Sequence, residues 1–565
     1  MMNPFRSFPF WLFVICMILS ACKDDEDEAT FRLTVNGGSG SGLYPAGEQV
    51  TIAAAAAAEG ESFAAWTGDI DDVQDVHAAT TIVTMPAEDI TVNATYQPTF
   101  TGEVATVTIN SSDIHQTMDG FGFFGARDVW WSGSDASRFY SDAWLERIIG
   151  DLGITIWRNE AYPHNPPDEN TTSNQDADWD KQKPMIQALK AKADEHGVDL
   201  KVILTAWSPP GEFKWEIYNM AWAGDDAAER GPSDEGDYWS EKNGGTLNPN
   251  KYDQYAQWWI DVIQMYKDID VGVYAISLQN EPLFPQEFNS GVYTTQWYAD
   301  MIAAVVPTIK AAHPEVKVYG SENMLEMEGK EENWQWFYHN KLKQNPDAME
   351  QMDILAVHGY QDGVNPSSGS ELGTMWSKHL TEFVQPLDKK AWMTETSGYV
   401  DAWQGDGETP GAFGLAIDIQ SALLHGDVSA WVYWQGSSLD GIDEYNLMSD
   451  LTVGKKYHAS KNFYRFIRPG AVRVSAVASD EAVSVSAFDH EGNGTQTLVL
   501  INTANEAKGV ELAVQGGSPE AEYEMFVTSA TKNCESAGTV QGSGTIVLPA
   551  RSVVTLHAGG SDLGD

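Results

Sequence analysis

Hydrophobic and polar positions along the chain follow three successive rules. From about Phe31 to Tyr96, short alternating runs such as "FRLTVNGG" and "TTIVTMPAEDITVNATYQP" are separated by Gly-rich turns, the signature of a small all-β module over residues 31–98. The run of alanines at 53–58 has helical composition but continues a strand pattern, so it is read as strand. From about Asp113 to Phe466 the pattern changes to apolar runs alternating with amphipathic stretches. The runs are "DGFGFFGA", "ITIWRNE", "KVILTAWSPP", "GVYAISLQNEP", "KVYGSEN", "ILAVHGY", "KAWMTET" and "SAWVYWQ". Stretches such as "DKQKPMIQALKAKADEHG" and "TQWYADMIAAVVPTIKAAHP" have helical spacing. Eight strand–helix units in series predict an α/β fold, a (β/α)8 TIM barrel over 113–466. The unit after the third strand is the longest, and its polar, Gly-rich insertion near Trp215–Gly245 is expected to form a large loop.

Beyond Arg468 helical spacing disappears. "AVRVSAVAS", "AVSVSAFDH", "TQTLVLINTA", "YEMFVTSAT" and "GTIVLPARSVVTLHA" alternate like strands of a C-terminal antiparallel β-sandwich over 467–558. "VATVTINSS" at 104–112 shares the pattern and is expected to join that sheet from the far side of the barrel.

The start of the chain obeys a different logic. "MMNPFRSFPFWLFVICMILSAC" places Arg6 before an apolar run from Phe8 to Leu19 and small residues before Cys22. "LSAC" resembles the bacterial lipobox, which implies a lipoprotein signal peptide over 1–21 and acylation of Cys22. The acidic tether at 22–30, "KDDEDE" at its heart, is similar to the tag that directs Bacteroidetes lipoproteins to the outer surface. The expected location is therefore the bacterial outer membrane, lipid-anchored and facing outward. With Cys16 removed and Cys22 lipidated, Cys534 would have no partner for a disulfide.

Charge narrows the partners. Against 34 basic residues stand 82 acidic ones, a formal net charge of −48, and such a field repels phosphate backbones, so no nucleic acid is expected. The same excess suits solubility, and a monomer is expected. The 21 Trp residues suit a sugar-binding cleft, where apolar ring faces stack, although most large proteins bury many of theirs.

The candidate chemistry sits where apolar strands turn polar. In "YAISLQNEPLF" the fourth strand runs into Gln279, Asn280 and Glu281 and is stopped by Pro282; in "KAWMTET" the seventh delivers Glu395. Barrels of this type carry their functional groups at the C-terminal ends of the strands. Two carboxylates there are what glycoside hydrolysis needs: one to protonate the leaving oxygen, the other to attack the anomeric carbon or activate water at it. A single Glu at a strand end is more often structural; a pair on the fourth and seventh strands is much more specific. No His/carboxylate cluster has metal-binding spacing, so no catalytic metal and no cofactor are expected.

The set "SLQNEP", "WMTE", "DGFGFFGA", "TAWSPP", "HGY" and "WVYW", with "SKNFYRFIRPGAVRV" at the junction, resembles glycoside hydrolase family 30 from about Val104 to Ala558. The N-terminal module resembles the divergent internalin B-type repeat. The family resemblance implies a retaining mechanism, Glu281 as acid/base and Glu395 as nucleophile, the carboxyls about 5–5.5 Å apart. It implies that Asn280 hydrogen-bonds the sugar 2-hydroxyl and that Trp207 and Trp434 floor the subsite of the reacting sugar. Arg158, ending strand two, would hold Glu395 ionised or form a buried structural pair. His358 and Tyr360 end strand six; both, with Arg158, are expected in the substrate-binding set beside Asn280, Trp207 and Trp434, and Tyr360 is the one expected to touch the nucleophile.

The motif set is nearest the xylanase side of the family, yet "WQGSSLDGIDEYNLMSDLTVG" has no Lys or Arg between Trp434 and Lys455 and does hold Asp440, Asp443 and Glu444. Glucuronoxylanases carry basic residues there to hold the uronate, so glucuronate-dependent cleavage is not expected. Neutral xylan, β-1,6-galactan and β-1,6-glucan all remain as β-linked substrates. The competing class is a non-catalytic surface glycan-binding or adhesin lipoprotein, which would need no acid/base pair.

Overall fold

The computed structural model describes residues 29–58, 60–125, 140–162, 179–217, 230–231, 244–286, 289–325, 338–360, 369–406, 409–438 and 441–559. The signal segment, Cys22 and most of the acidic tether lie outside the described residues, as does Asp440. The chain divides into two compact units, Met1–Thr101 and Gly102–Asp565.

Among its described residues the first unit holds seven strands: β1 (Thr30–Asn36), β2 (Gly38–Ser39), β3 (Gly42–Pro45), β4 (Gln49–Ala54), β5 (Glu61–Gly68), β6 (Thr80–Thr84) and β7 (Ile90–Pro98). They form a sheet ordered β3-β1-β7-β5 and a second ordered β2-β4-β6. Alternation puts Leu33 and Val35, Val50 and Ile52, and Ile90 and Val92 into one core around Trp66. The indole of Trp66 donates to the Ala78 carbonyl at 3.0 Å, which satisfies its only polar atom inside that core. Only Ala53 and Ala54 of the alanine run are strand; the remaining four described alanines are irregular, because no pairing partner extends β4 beyond Gly38.

In the second unit the eight expected barrel strands are all present. They are β9 (Gly120–Phe124), β10 (Ile156–Glu160), β11 (Lys201–Thr205), β15 (Val273–Ser277), β16 (Lys317–Met324), β17 (Ile354–His358), β18 (Lys390–Glu395) and β19 (Val428–Tyr433). They close in chain order, every pairing parallel. A parallel strand is covered on both faces, which is why these segments read as apolar runs. Inward residues, among them Ile156, Ile203, Ala275, Ile354, Ala356 and Val432, pack around Trp392 to fill the barrel. Asp119 plugs its floor, accepting hydrogen bonds from the Trp392 indole at 2.9 Å and Lys390 at 2.6 Å. The site must therefore lie at the opposite, C-terminal end. Gly122 permits the closure of β9 on β10: a Cβ there would meet the Ile156 carbonyl oxygen at 1.9 Å.

Helices surround the barrel. Trp179–Glu195 and Thr295–Ala312 match the two amphipathic stretches singled out above, the latter capped by Thr294, whose hydroxyl accepts from the Trp297 amide at 3.1 Å. The insertion after β11 is more than a loop. Strands β12 (Lys214–Ile217), β13 (Arg230–Gly231) and β14 (Thr246–Leu247) make a small antiparallel sheet ordered β13-β12-β14; the rest of 218–243 lies outside the described residues. A two-stranded ribbon, β20 (Met448–Ser449) with β21 (Thr452–Val453), lies beyond β19.

The sandwich is a nine-stranded sheet. Its first strand, β8 (Val104–Thr117), runs past the expected end at 112 and displaces the start of the barrel to Gly120. The others are β22 (Val472–Ala478), β23 (Val483–His490), β24 (Thr495–Asn502), β25 (Lys508–Val514), β26 (Glu522–Thr528), β27 (Asn533–Gln541), β28 (Ile546–Leu548) and β29 (Ser552–Ala558). The order is β27-β26-β29-β24-β23-β22-β8-β25-β28. Residues from near both ends of this order, Tyr523 and Met525 on β26 and Ile546 and Leu548 on β28, share one core with Val107 and Ile109, so the sheet folds over itself. The outer faces of β23, β24 and β29 pack on the barrel through Phe488, Val499, Ile501 and Val553. One pairing departs from the antiparallel expectation: β8 and β25 are parallel. Strands β25 and β27 were not anticipated, and "GTIVLPARSVVTLHA" divides into β28 and β29 around Arg551, whose φ is 45°.

Candidate active site

Strand ends bring six of the expected residues to the C-terminal end of the barrel. Glu395 is the last residue of β18 and His358 the last of β17; Tyr360 and Trp207 lie two residues past β17 and β11, and Trp434 one past β19. Glu281 lies four residues beyond β15, at a positive φ of 41° just before Pro282. Few non-glycine residues adopt that conformation, and it marks a locally strained position held by its surroundings. Arg158 does not end its strand: it sits in the middle of β10, fully buried, and reaches up from inside the barrel.

The guanidinium of Arg158 organises the site. Nη1 donates to Glu395 Oε2 at 2.5 Å, and Nη2 to Asn280 Oδ1 at 2.8 Å and to Glu322 Oε1 at 3.0 Å. Its Nε donates to Thr205 Oγ1 at 3.3 Å. Burial disfavours the cation, but the charges of Glu322 and Glu395 outweigh it, so Arg158 stays charged well above the usual arginine range. Arg158 is thus part of a buried ion-pair cluster, with Glu395 and Glu322 as its partners. The second donor to Glu395 is the Tyr360 hydroxyl, 2.6 Å from Oε1, the contact expected of Tyr360.

Glu281 has different neighbours. His358 Nδ1 is 2.9 Å from Oε1, and Gln286 Nε2 donates to Oε2 at 3.0 Å. Burial pushes its carboxyl above the ordinary Glu range, a push that the His358 hydrogen bond and charge only partly offset. His358 is itself raised to about 9: burial would lower it, and the surrounding Glu395, Glu281 and Glu322 reverse that. A group with no exposed surface cannot touch a sugar, so His358 is not the substrate contact expected from sequence; it is a support for Glu281. Arg158 is corrected in the same way.

One carboxylate oxygen each from Glu281 and Glu395 and a ring nitrogen of His358 lie within 4.8 Å of one another. That is the close arrangement of retaining glycosidases, since inverting enzymes hold their carboxyls about 6.5–9.5 Å apart to admit a water. The same three atoms have the spread of a metal cage, but Arg158 already places a buried cation on Glu395 and His358 donates to Glu281, so a further cation would meet two positive groups.

Aromatic rings make one wall. Trp207 and Trp434 have ring centroids 5.8 Å apart, and Phe124 stacks on Trp434 at 4.3 Å. The Arg158 guanidinium lies 4.9 Å from the Trp207 ring, which fixes that indole beside the ion pair. Asn280 is oriented by its acceptor bond to Arg158, leaving its NH2 as the donor available to a ligand.

Three residues of this site were not anticipated: Phe124, Gln286 and Glu322. Glu322, on β16, is fully buried at φ 58°, where the β16–β17 register shifts between Ser321 and Asn323. The signal was present, because "KVYGSEN" carries a carboxylate next to its last position, near the C-terminal end of a barrel strand as in the fourth and seventh units.

Comparison with known proteins bears on the fold. Residues 31–100 match the family model of the divergent InlB B-repeat domain. The glucuronoxylanase XynC of Bacillus subtilis strain 168 is 27% identical over 465 residues, which covers 80% of this chain and 90% of that protein. In fold, the chain matches a family 30 endoxylanase from Clostridium papyrosolvens with a TM-score of 0.60 at 24% identity, covering 80% of this chain and all of that one. It matches the endo-β-1,6-glucanase BT3312 with a TM-score of 0.58 at 20% identity, covering 80% of this chain and 94% of that one. The chain therefore joins a region that matches the divergent InlB B-repeat domain to a barrel and sandwich that share the fold of family 30 glycoside hydrolases and are similar in sequence to a Bacillus glucuronoxylanase.

Proposed function

We propose that this chain cleaves β-linked polysaccharide at the cell surface, as an endo-xylanase-like or β-1,6-glycanase enzyme, with Glu281 as acid/base and Glu395 as nucleophile. The observation that carries the reading is the pair of buried carboxylates within 4.8 Å, one held by Arg158 and Tyr360, the other by a histidine and an amide. Raised by burial, Glu281 keeps its proton and can give it to the departing oxygen. Glu395, oriented by two donors, attacks the anomeric carbon from the opposite face, forming a glycosyl-enzyme that water hydrolyses with Glu281 then acting as base. Asn280 donates to the 2-hydroxyl, and Trp207 and Trp434 support the ring of the reacting sugar.

Independence from glucuronate is part of the proposal, although the Bacillus relative is a glucuronoxylanase. After Trp434 the next basic residues are Lys455 and Lys456. Lys456 is buried, with its ammonium bonded to the Asp443 carbonyl, and Lys455 donates to the Lys532 carbonyl and the Asn533 side chain. The Asp443 carboxylate, which the sequence placed against a uronate, accepts from the Tyr445 amide at 2.8 Å and Asn446 Nδ2 at 3.1 Å, so it shapes the loop as well as adding negative charge.

The test is a panel of neutral xylan, glucuronoxylan, β-1,6-galactan and β-1,6-glucan with product lengths and anomeric configuration read out. Retained products from a neutral polymer, with no gain from uronate side groups, are expected. Binding without turnover on every polymer would favour the non-catalytic capture protein, and strict uronate dependence would reverse the specificity.

Surface display rests on Cys22 and the acidic tether. No helix among the described residues is long and apolar enough to cross a membrane. Substituting Cys22→Ser is expected to move the protein from the membrane fraction to the soluble fraction; retention in the membrane would defeat the anchor assignment.

A further inference from the structure

A third carboxylate lies beneath the two that the proposed mechanism uses. Glu322 Oε1 contacts Arg158 Nη2 at 3.0 Å and lies 3.6 Å from His358 Nε2. The other ring nitrogen of His358 is the one that meets Glu281, and His358 Nε2 is also 3.9 Å from Glu395 Oε2. One imidazole therefore stands between Glu281, which it meets at hydrogen-bond distance, and Glu322, which lies in ion-pair range of its other nitrogen. Glu322, Arg158 and His358 have no exposed surface. The groups facing the cluster are Arg158 from β10, Ser277 from β15, Tyr319 from β16, Glu395 from β18, and Tyr360 beyond β17. Burial would raise Glu322, but Arg158 and His358 hold it below the usual Glu range, so it is an anion.

Charge balance follows. An uncompensated charge in such an interior is costly, so the cluster favours proton occupancies that keep it neutral. Arg158 and His358 contribute two positive charges, Glu322 and Glu395 two negative ones. The sum is zero when Glu281 carries a proton. We propose that Glu322 is a positioning residue for the reaction: through its contacts to Arg158 and His358 it balances the buried cations, so that Glu281 holds its proton in the resting site. When Glu395 becomes an ester it loses its charge, the balance moves to +1, and release of the Glu281 proton restores neutrality. The same carboxyl is thereby converted from acid to base between the two steps. Without Glu322 the excess positive charge would exist from the start, and the Glu281–His358 pair, in contact at 2.9 Å, would lose its first proton too early.

This inference rests on the proposed glycosidase reading, and the test separates the two. Glu322→Gln preserves shape and removes the charge. In a kcat/KM profile on an unactivated β-linked oligosaccharide, the limb on which activity falls with rising pH should move to lower pH by about 1 unit, roughly a tenfold loss at its upper end. An aryl glycoside with a good leaving group, which needs little protonation, should show a much smaller loss. The opposite change, His358→Gln, removes a cation and the donor to Glu281, and should move the same limb upward. It also decides the matter if Glu322→Gln does not fold. A nitrogen NMR titration of the histidines needs no turnover: the step assigned to His358 should fall in Glu322→Gln by about 1 unit. Unchanged limbs in both variants, shifts of the same sign, or an unmoved His358 titration would overturn the role of Glu322. Absence of turnover in the wild type, with the His358 shift present, would instead overturn the glycosidase reading and leave the charge coupling standing.

Discussion

Glu395→Gln is expected to reduce turnover by roughly 10⁶-fold, the scale seen when a covalent nucleophile is removed. The amide keeps the shape of the carboxylate but cannot form the glycosyl ester. It also leaves the Arg158 cation without the partner now 2.5 Å away. No neighbour replaces it: Glu322 is fully buried, and Glu281 is the carboxyl that must serve as acid and then as base. Steady-state hydrolysis of both polysaccharide and aryl glycoside measures this directly. Loss on the polymer alone, with the aryl glycoside still hydrolysed, would show that Glu395 is not the attacking group. Because the variant breaks a buried ion pair, its thermal unfolding should be recorded alongside, so that a loss of fold is not taken for a loss of chemistry.

Glu281→Ala should behave differently, and the contrast assigns the roles. General acid–base assistance is worth about 10²–10⁴-fold, so turnover of the natural substrate should fall by that order or more. An aryl glycoside departs with little protonation, so the first step should survive while the second, lacking its base, stalls with the sugar on Glu395. A burst of phenol followed by a slow steady state is the expected record. Azide can occupy the space left by the carboxyl and attack the intermediate, giving a glycosyl azide of retained configuration. An inverted product from the wild type, or azide rescue at position 395 in place of 281, would reverse the assignment.

Much of the fold was legible because its local patterns agree with its global arrangement. The eight parallel strands are buried on both faces, so each appears as an apolar run, and each run predicted here became a barrel strand. The edge strand β27 has the opposite character. Its segment "NCESAGTVQ" is largely exposed and lacks a sustained apolar alternation, so nothing local distinguishes it from a loop. Strand β25 is bounded by its partners β8 and β28, and its parallel register with β8 joins segments about 400 residues apart in the chain. Long-range ladders of that kind have no local sequence signature.

The site divides along the same line. By itself the sequence determined which strands end in chemistry: Glu281 and Glu395 follow apolar runs, and a polar group at the mouth of such a run has few reasons to be there except to face a cleft. Only the tertiary structure decided how those groups are partnered. Arg158 meets Glu395 across 237 residues and Glu322 across 164, and His358 meets Glu281 across 77. Those contacts made His358 a buried support where sequence suggested a sugar contact, and brought in Glu322, which sequence had left as the end of a strand. The reason is physical: a residue's own sequence sets the strand it belongs to, but its proton affinity depends on charges a few ångströms away, and in a closed barrel those charges come from other strands.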